Sequence, residues 1–152
     1  MRKWMSLGVF ALLAFSAGFV GSRFLPGDWY AALTKPSFNP PNSVFAPVWS
    51  ALYLLMAIAA WRAWRKSGID AATGLWVAQL VLNAAWSWLF FGCHLLAVAL
   101  VDIVALLALI VATTVAFFRR DRTAGRMMVP YIAWVSFASV LNAALWQLNP
   151  GA

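Results

Sequence analysis

Five apolar runs, each about 20 residues long and separated by short linkers, leave this chain very few possible folds. A bilayer hydrocarbon core of ~30 Å takes about 20 residues of α-helix per crossing. In lipid, every backbone N–H and C=O must be satisfied within the protein, which restricts spanning structure to helices and closed barrels. Barrel strands alternate apolar and polar residues, whereas these runs are continuous. The expected fold class is therefore an all-α integral membrane protein, a bundle of five transmembrane helices. The spans fall at Trp4–Leu25, Val44–Trp64, Leu75–Phe91, Leu95–Phe118 and Val129–Leu148. Five crossings use roughly two thirds of the 152 residues, so 1–152 reads as a single membrane domain. Only 10% of the residues are charged, against about 25% in soluble domains, which excludes a water-exposed globular surface.

The first span has a second reading. Arg2-Lys3, an apolar stretch and the small residues Ser16-Ala17-Gly18 share the form of a secretory signal peptide. The apolar stretch nevertheless continues through Phe19, Val20 and Phe24, and this length favours an uncleaved helix. The first linker, Pro26 to Ser43, holds Pro26, Pro36, Pro40 and Pro41 and is expected to be mostly irregular. Trp29–Leu33 within it is expected to form one amphipathic turn at the interface.

The formal charge of +7 comes from eleven Lys/Arg against four Asp. Because the basic residues sit between the apolar runs, they report topology rather than a nucleic-acid partner. One side of a five-span protein would hold Arg2, Lys3, Arg62, Arg65, Lys66, Arg119, Arg120, Arg122 and Arg126; the other holds Arg23 and Lys35. This asymmetry predicts a cytoplasmic N-terminus, an outer C-terminus and an outer Pro-rich linker. Trp4, Trp29, Trp61, Trp64 and Trp146 lie near span ends, where tryptophans anchor at the interface.

Polar residues inside a span need a partner or a purpose. Gln79, Asn83 and Trp86 share one face of the third span, Trp49 and Tyr53 one face of the second, and Trp134, Ala138, Leu141 and Asn142 one face of the fifth. Two readings fit this spacing: an aromatic-walled pocket for an apolar ligand, and amides that only bridge helices. Asp102 is the one acidic residue within a span, so it is either a proton- or cation-handling group or a link to interfacial water or a neighbouring helix. His94 beside Cys93 is too small a set for a structural metal site, and reads as a turn residue rather than a haem ligand. No catalytic constellation or phosphate-binding glycine loop appears. The Ala14…Gly18…Ser22 pattern permits close helix packing.

Taken together, several motifs are similar to those of a known family. Trp29-Tyr30, Lys35-Pro36, Pro40-Pro41 and Val44-Phe45…Trp49…Leu52-Tyr53 resemble the opening signature of the TspO/MBR family, that of the translocator protein or peripheral-type benzodiazepine receptor. The resemblance continues through Gln79…Asn83…Trp86…Phe90-Phe91-Gly92, Asp102-Ile103, and Pro130-Tyr131…Trp134…Phe137-Ala138…Leu141-Asn142. It covers nearly the whole chain.

The resemblance implies a five-helix bundle, often a homodimer, that binds tetrapyrroles and hydrophobic drugs of the benzodiazepine and isoquinoline types under the first linker. Its ligand-binding residues carry over onto Tyr30, Pro41, Trp49, Tyr53, Asn83, Trp86, Ile103, Trp134 and Ala138. No cofactor is required; porphyrin or haem enters as ligand. No catalytic and no metal-binding residue is expected. The implied role is that of a receptor or transporter in tetrapyrrole regulation or stress response. Light-dependent porphyrin degradation in the same pocket is the alternative, and a small proton-coupled carrier using Asp102 is the next. Animal members carry a Leu, Tyr and Arg pattern linked to cholesterol. Here Leu141 remains, but Ala143 and Gln147 take the other places, which argues against high-affinity sterol binding. The expected location is the bacterial cell membrane, with the outer membrane left open by the assignment of some family members.

Overall fold

The structure, a computed structural model, describes residues 2–151. Its elements are α1 (Arg2–Ser22), a short α2 (Asp28–Ala32), α3 (Asn42–Ser67), α4 (Ala71–Ser87), α5 (Leu96–Arg120) and α6 (Arg122–Leu148). A single π-helical turn, Trp88–Gly92, extends α4. Five of these stretches are long and apolar enough to cross a membrane, so the chain is a multi-pass membrane protein. The amphipathic turn expected in the first linker is α2.

The helix ends follow backbone chemistry rather than hydropathy, and this shifts the expected boundaries. The first span stops at Ser22 instead of Leu25, because Pro26 disfavours helical backbone just before it. Its final turn tightens through Arg23 N–H to Val20 O and Phe24 N–H to Gly21 O. The fourth linker shrinks to one residue. Asp121 leaves α5 as its C-cap and opens α6 as its N-cap, its carboxylate accepting from Ala124 N–H at 3.0 Å. Hence α6 begins seven residues before the apolar run does. Asp70 caps α4 in the same way, forming a capping box with Thr73.

Around the bundle the spanning helices contact one another in the closed order α1, α3, α6, α5, α4 and back to α1. Close approaches are set by two glycines. A Cβ at Gly125 would lie 2.3 Å from the Phe118 ring, so glycine is what lets α6 turn back tightly onto α5. At Gly18 it would lie 2.8 Å from the Tyr53 ring, where α1 crosses α3. The small-residue stripe of α1 therefore serves packing within the chain, with Ala14 fully buried beside it.

Two ion pairs stitch the end of the bundle that carries the nine basic residues. Arg120 Nε lies 2.7 Å from Asp70 Oδ2, and Arg62 Nη2 lies 3.2 Å from Asp121 Oδ2. At the same end Trp61 is not an exposed anchor: it is 7% accessible, because its Nε1–H donates to Lys3 O and Ser6 Oγ and its ring stacks on Trp4. Trp4 and Trp146 do remain exposed at span ends.

The opposite end is closed by the first linker. Thr34 N–H donates to Asn149 Oδ1, and Asn149 Nδ2 donates back to Thr34 O, both at 2.8 Å. Trp29 stacks on His94 with ring centroids 4.2 Å apart, and Phe38 meets Phe137 edge-on. His94 holds φ +58°, a left-handed conformation that turns the chain from the π-turn into α5.

Candidate functional site: an aromatic cavity beneath the first linker

Trp49 and Tyr53 stand one turn apart on α3, with ring centroids 5.7 Å apart. Trp49 meets Trp134 and Tyr131 of α6 edge-on, at 6.4 and 6.2 Å. Across from them the π-turn widens the end of α4 and sets Phe90 against Trp86, and Phe91 against both Phe90 and Tyr30. Edge-to-face and offset arrays of this kind are the preferred geometry for packed aromatics.

These rings partition the space between helices into two cavities. The larger, of about 450 Å³, lies between α1, α3 and the end of α4. It is bounded by Phe15 and Phe19 of α1, Phe45, Trp49 and Tyr53 of α3, and Trp86 and Phe91. The smaller, of about 20 Å³, lies deeper under the linker, against Tyr30, Trp134, Ala138 and Asn142. Phe45, Trp49, Trp86 and Phe91 border both. The smaller void has room for about one water molecule; the larger falls within the ~300–1,000 Å³ of small-molecule pockets.

Of the residues expected at the site, Trp49 and Trp86 line both cavities, Tyr53 the larger, and Tyr30, Trp134 and Ala138 the smaller. Pro41, the N-cap of α3, lines neither, and Ile103 is buried on α5 away from both. Asn83 stands behind the wall. Its Oδ1 accepts from Tyr53 Oη–H at 2.6 Å and its Nδ2 donates to Tyr131 Oη at 2.7 Å. Tyr131 in turn donates to Gln79 Oε1 at 2.7 Å. Trp86 Nε1–H donates to Asn142 Oδ1, and Asn142 Nδ2 donates to Leu96 O. The two readings of the in-span polar residues therefore divide: the aromatics form most of the cavity walls, and the amides bridge helices, Asn142 also bordering the smaller cavity.

Sequence reading places Tyr131, the hub of this network, and Phe45, Phe90 and Phe91 of the walls among the motif residues but not among the site residues. Tyr131 shares its helical face with Trp134 and Ala138, at spacings of three and seven, which would have been signal enough. The α1 contribution, Phe15 and Phe19, had no such signal, since both sit in a continuous apolar run. Asp102 borders neither cavity, and its buried Oδ2 meets no donor among the described residues, so the interhelical link that was one of its readings is not formed. Trp134 Nε1 is likewise buried without an acceptor. Tyr30 donates to Asn39 Oδ1 at 3.0 Å, and burial pushes its hydroxyl above the ordinary tyrosine value against that bond, so it remains a protonated donor.

Five membrane-length helices closed into a ring, with aromatic-walled cavities between them and a linker that caps one end, define a multi-pass α-helical membrane protein. The model of the TspO/MBR family matches residues 9–147, and the chain belongs to that family. It is 42% identical to the Tryptophan-rich protein TspO of Chlorobaculum tepidum, over 98% of this chain and 99% of that protein. To Protein CrtK of Rhodobacter capsulatus it is 43% identical, over 97% and 96%. To the human Translocator protein it is 38% identical, over 97% and 92%.

Proposed function

We propose that this protein binds tetrapyrroles (porphyrins, haem and its precursors) and other hydrophobic ligands, including benzodiazepine- and isoquinoline-type drugs, between its helices. In this reading it acts as a receptor or transporter-like protein in tetrapyrrole regulation or stress response, as a homodimer in a bacterial cell membrane with its N-terminus cytoplasmic. The observation that carries the reading is the cavity of about 450 Å³ faced by Trp49, Tyr53 and Trp86. A flat apolar macrocycle stacks on indole and phenol faces, and hydrogen bonds behind them satisfy the Tyr53 hydroxyl and the Trp86 indole N–H. The names of relatives agree in kind: one in Cereibacter sphaeroides, 39% identical, is a "Tryptophan-rich sensory protein". Binding at the smaller void requires Trp49 or Phe45 to swing aside, joining the two spaces.

Tryptophan-fluorescence quenching by protoporphyrin IX in detergent tests the proposal. Saturable quenching is expected, weakened about fivefold or more in Trp49→Ala, because one stacked aromatic is worth about 1–3 kcal/mol against a π-faced ligand. Affinity unchanged in both Trp49→Ala and Trp134→Phe would overturn this site. The same samples under illumination show whether the ligand is merely held or also degraded.

A further inference from the structure

The larger cavity runs from an end near the first linker, where Ser22 and Asn42 stand among Phe24, Leu25 and Pro26, to an end at Phe15 and Tyr53. Along α1, Phe15 lies eight residues from Arg23, about 12 Å at the helical rise; along α3, Tyr53 lies about 16 Å from Asn42. Ser22 and Asn42 thus mark the end nearest the first linker, and Phe15 and Tyr53 the far end. Ser50 and Ser87 add only hydroxyls to the wall between.

Arg23 is not itself a lining residue but flanks the end nearest the first linker. It lies between two residues that line the cavity, Ser22 and Phe24, and its Cζ is 5.9 Å from the ring centroid of Phe19, another lining residue. The side chain is exposed and makes no ion pair among the described residues. The other cation at this end of the bundle, Lys35, is already engaged: its ammonium donates to Ala31 O and Leu33 O and sits 4.8 Å over the Tyr30 ring. One guanidinium without an ion pair among the described residues therefore lies beside Phe19, a lining residue of a largely apolar cavity.

We propose that Arg23 is the specificity determinant of this cavity, pairing with the carboxylate of a ligand whose apolar body lies between α1 and α3. The ligand class is an anionic amphiphile: a flat or chain-like hydrophobic body with a carboxylate at one edge. Guanidinium geometry matches a carboxylate with two parallel hydrogen bonds. A site at the edge of a low-dielectric region makes that pair stronger than it is in bulk water. The inference rests on the cavity being the ligand site, as proposed above.

The test compares protoporphyrin IX with its dimethyl ester, which has the same macrocycle and no carboxylate, on wild type, Arg23→Gln, Arg23→Lys and Arg119→Gln. Arg119 is exposed at the opposite end and controls for loss of one charge. Wild type is expected to prefer the acid over the ester by about fivefold, corresponding to about 1 kcal/mol. Arg23→Gln should erase the preference, Arg23→Lys keep part of it, and Arg119→Gln leave it intact. Comparing ratios removes differences in how the two compounds partition into detergent. An equal preference in wild type and Arg23→Gln overturns the role of Arg23, as does wild type binding acid and ester alike, the result expected if the guanidinium serves a lipid phosphate instead. Saturable binding of neither compound overturns the cavity reading itself, and this inference with it.

Discussion

Tyr131 shows how much one hydroxyl organises. It accepts from Asn83 and donates to Gln79, and through them ties α6 to α4 and, by way of Tyr53, to α3. In lipid a single interhelical hydrogen bond averages about 0.6 kcal/mol, because the alternative state also finds partners. Here two amides would lose a partner together. Tyr131→Phe is therefore expected to lower stability by about 1–2 kcal/mol, read as a lower unfolding midpoint in detergent, while the walls of the larger cavity stay in place. A midpoint equal to wild type would mean that the amides find other partners. At this scale the sequence was partly legible. The spacing of Trp49, Tyr53, Trp86 and Trp134 identified aromatic faces, but whether Asn83 points into a cavity or behind its wall depends on the rotation of α4 against α3 and α6. No local pattern encodes that rotation.

The helix ends form the next scale, and there the four aspartates divide. Asp70 and Asp121 cap α4 and α6, and each is held by an arginine. The Arg120 hydrogen bond holds the Asp70 carboxyl below its ordinary value, helped by Thr73 N–H and Ser67 against the opposing effect of burial. Burial pushes the Asp121 carboxyl up, but Ala124 N–H and the Arg62 guanidinium outweigh it and leave it lowered as well. Carboxylates lowered by folding bind fewer protons in the native state. Their stabilisation is complete above the ordinary carboxylate range, near pH ~4, and is lost as pH falls through the lowered folded values. Unfolding midpoints should be flat at neutral pH on their account and drop at acid pH, with a shallower drop in Asp121→Asn. Asparagine keeps the cap and loses only the ion pair, so it should cost little at neutral pH, whereas Asp121→Ala should cost about 1 kcal/mol. Equal midpoints for the Asn and Ala variants would remove the cap from this account. Hydropathy set the spans well in their apolar middles and poorly here, because an end is decided by a cap or a proline rather than by apolar content.

For the molecule as a whole, charge asymmetry makes the topology a sharp prediction. The end that holds α1's N-terminus carries nine of the eleven basic residues, and among the described residues two of these are matched by aspartates, in the Arg62–Asp121 and Arg120–Asp70 pairs. A reporter active only in the cytoplasm should be silent when fused to the C-terminus and active at the N-terminus; the reverse pattern would invert the proposed orientation. The five spans and this charge bias follow from the sequence by itself, because water, lipid and the backbone's hydrogen-bonding demand act on each helix separately. The family motifs were legible for the same reason, residue by residue along the chain. Tertiary structure alone decided the closed order of the helices, the splitting of space between them into a larger and a smaller cavity, and the bringing of aromatics from α1, α3 and α4 together around the larger. These depend on which side chains from distant segments meet. In a chain whose surface and interior are both apolar, hydrophobic pattern cannot tell the two apart.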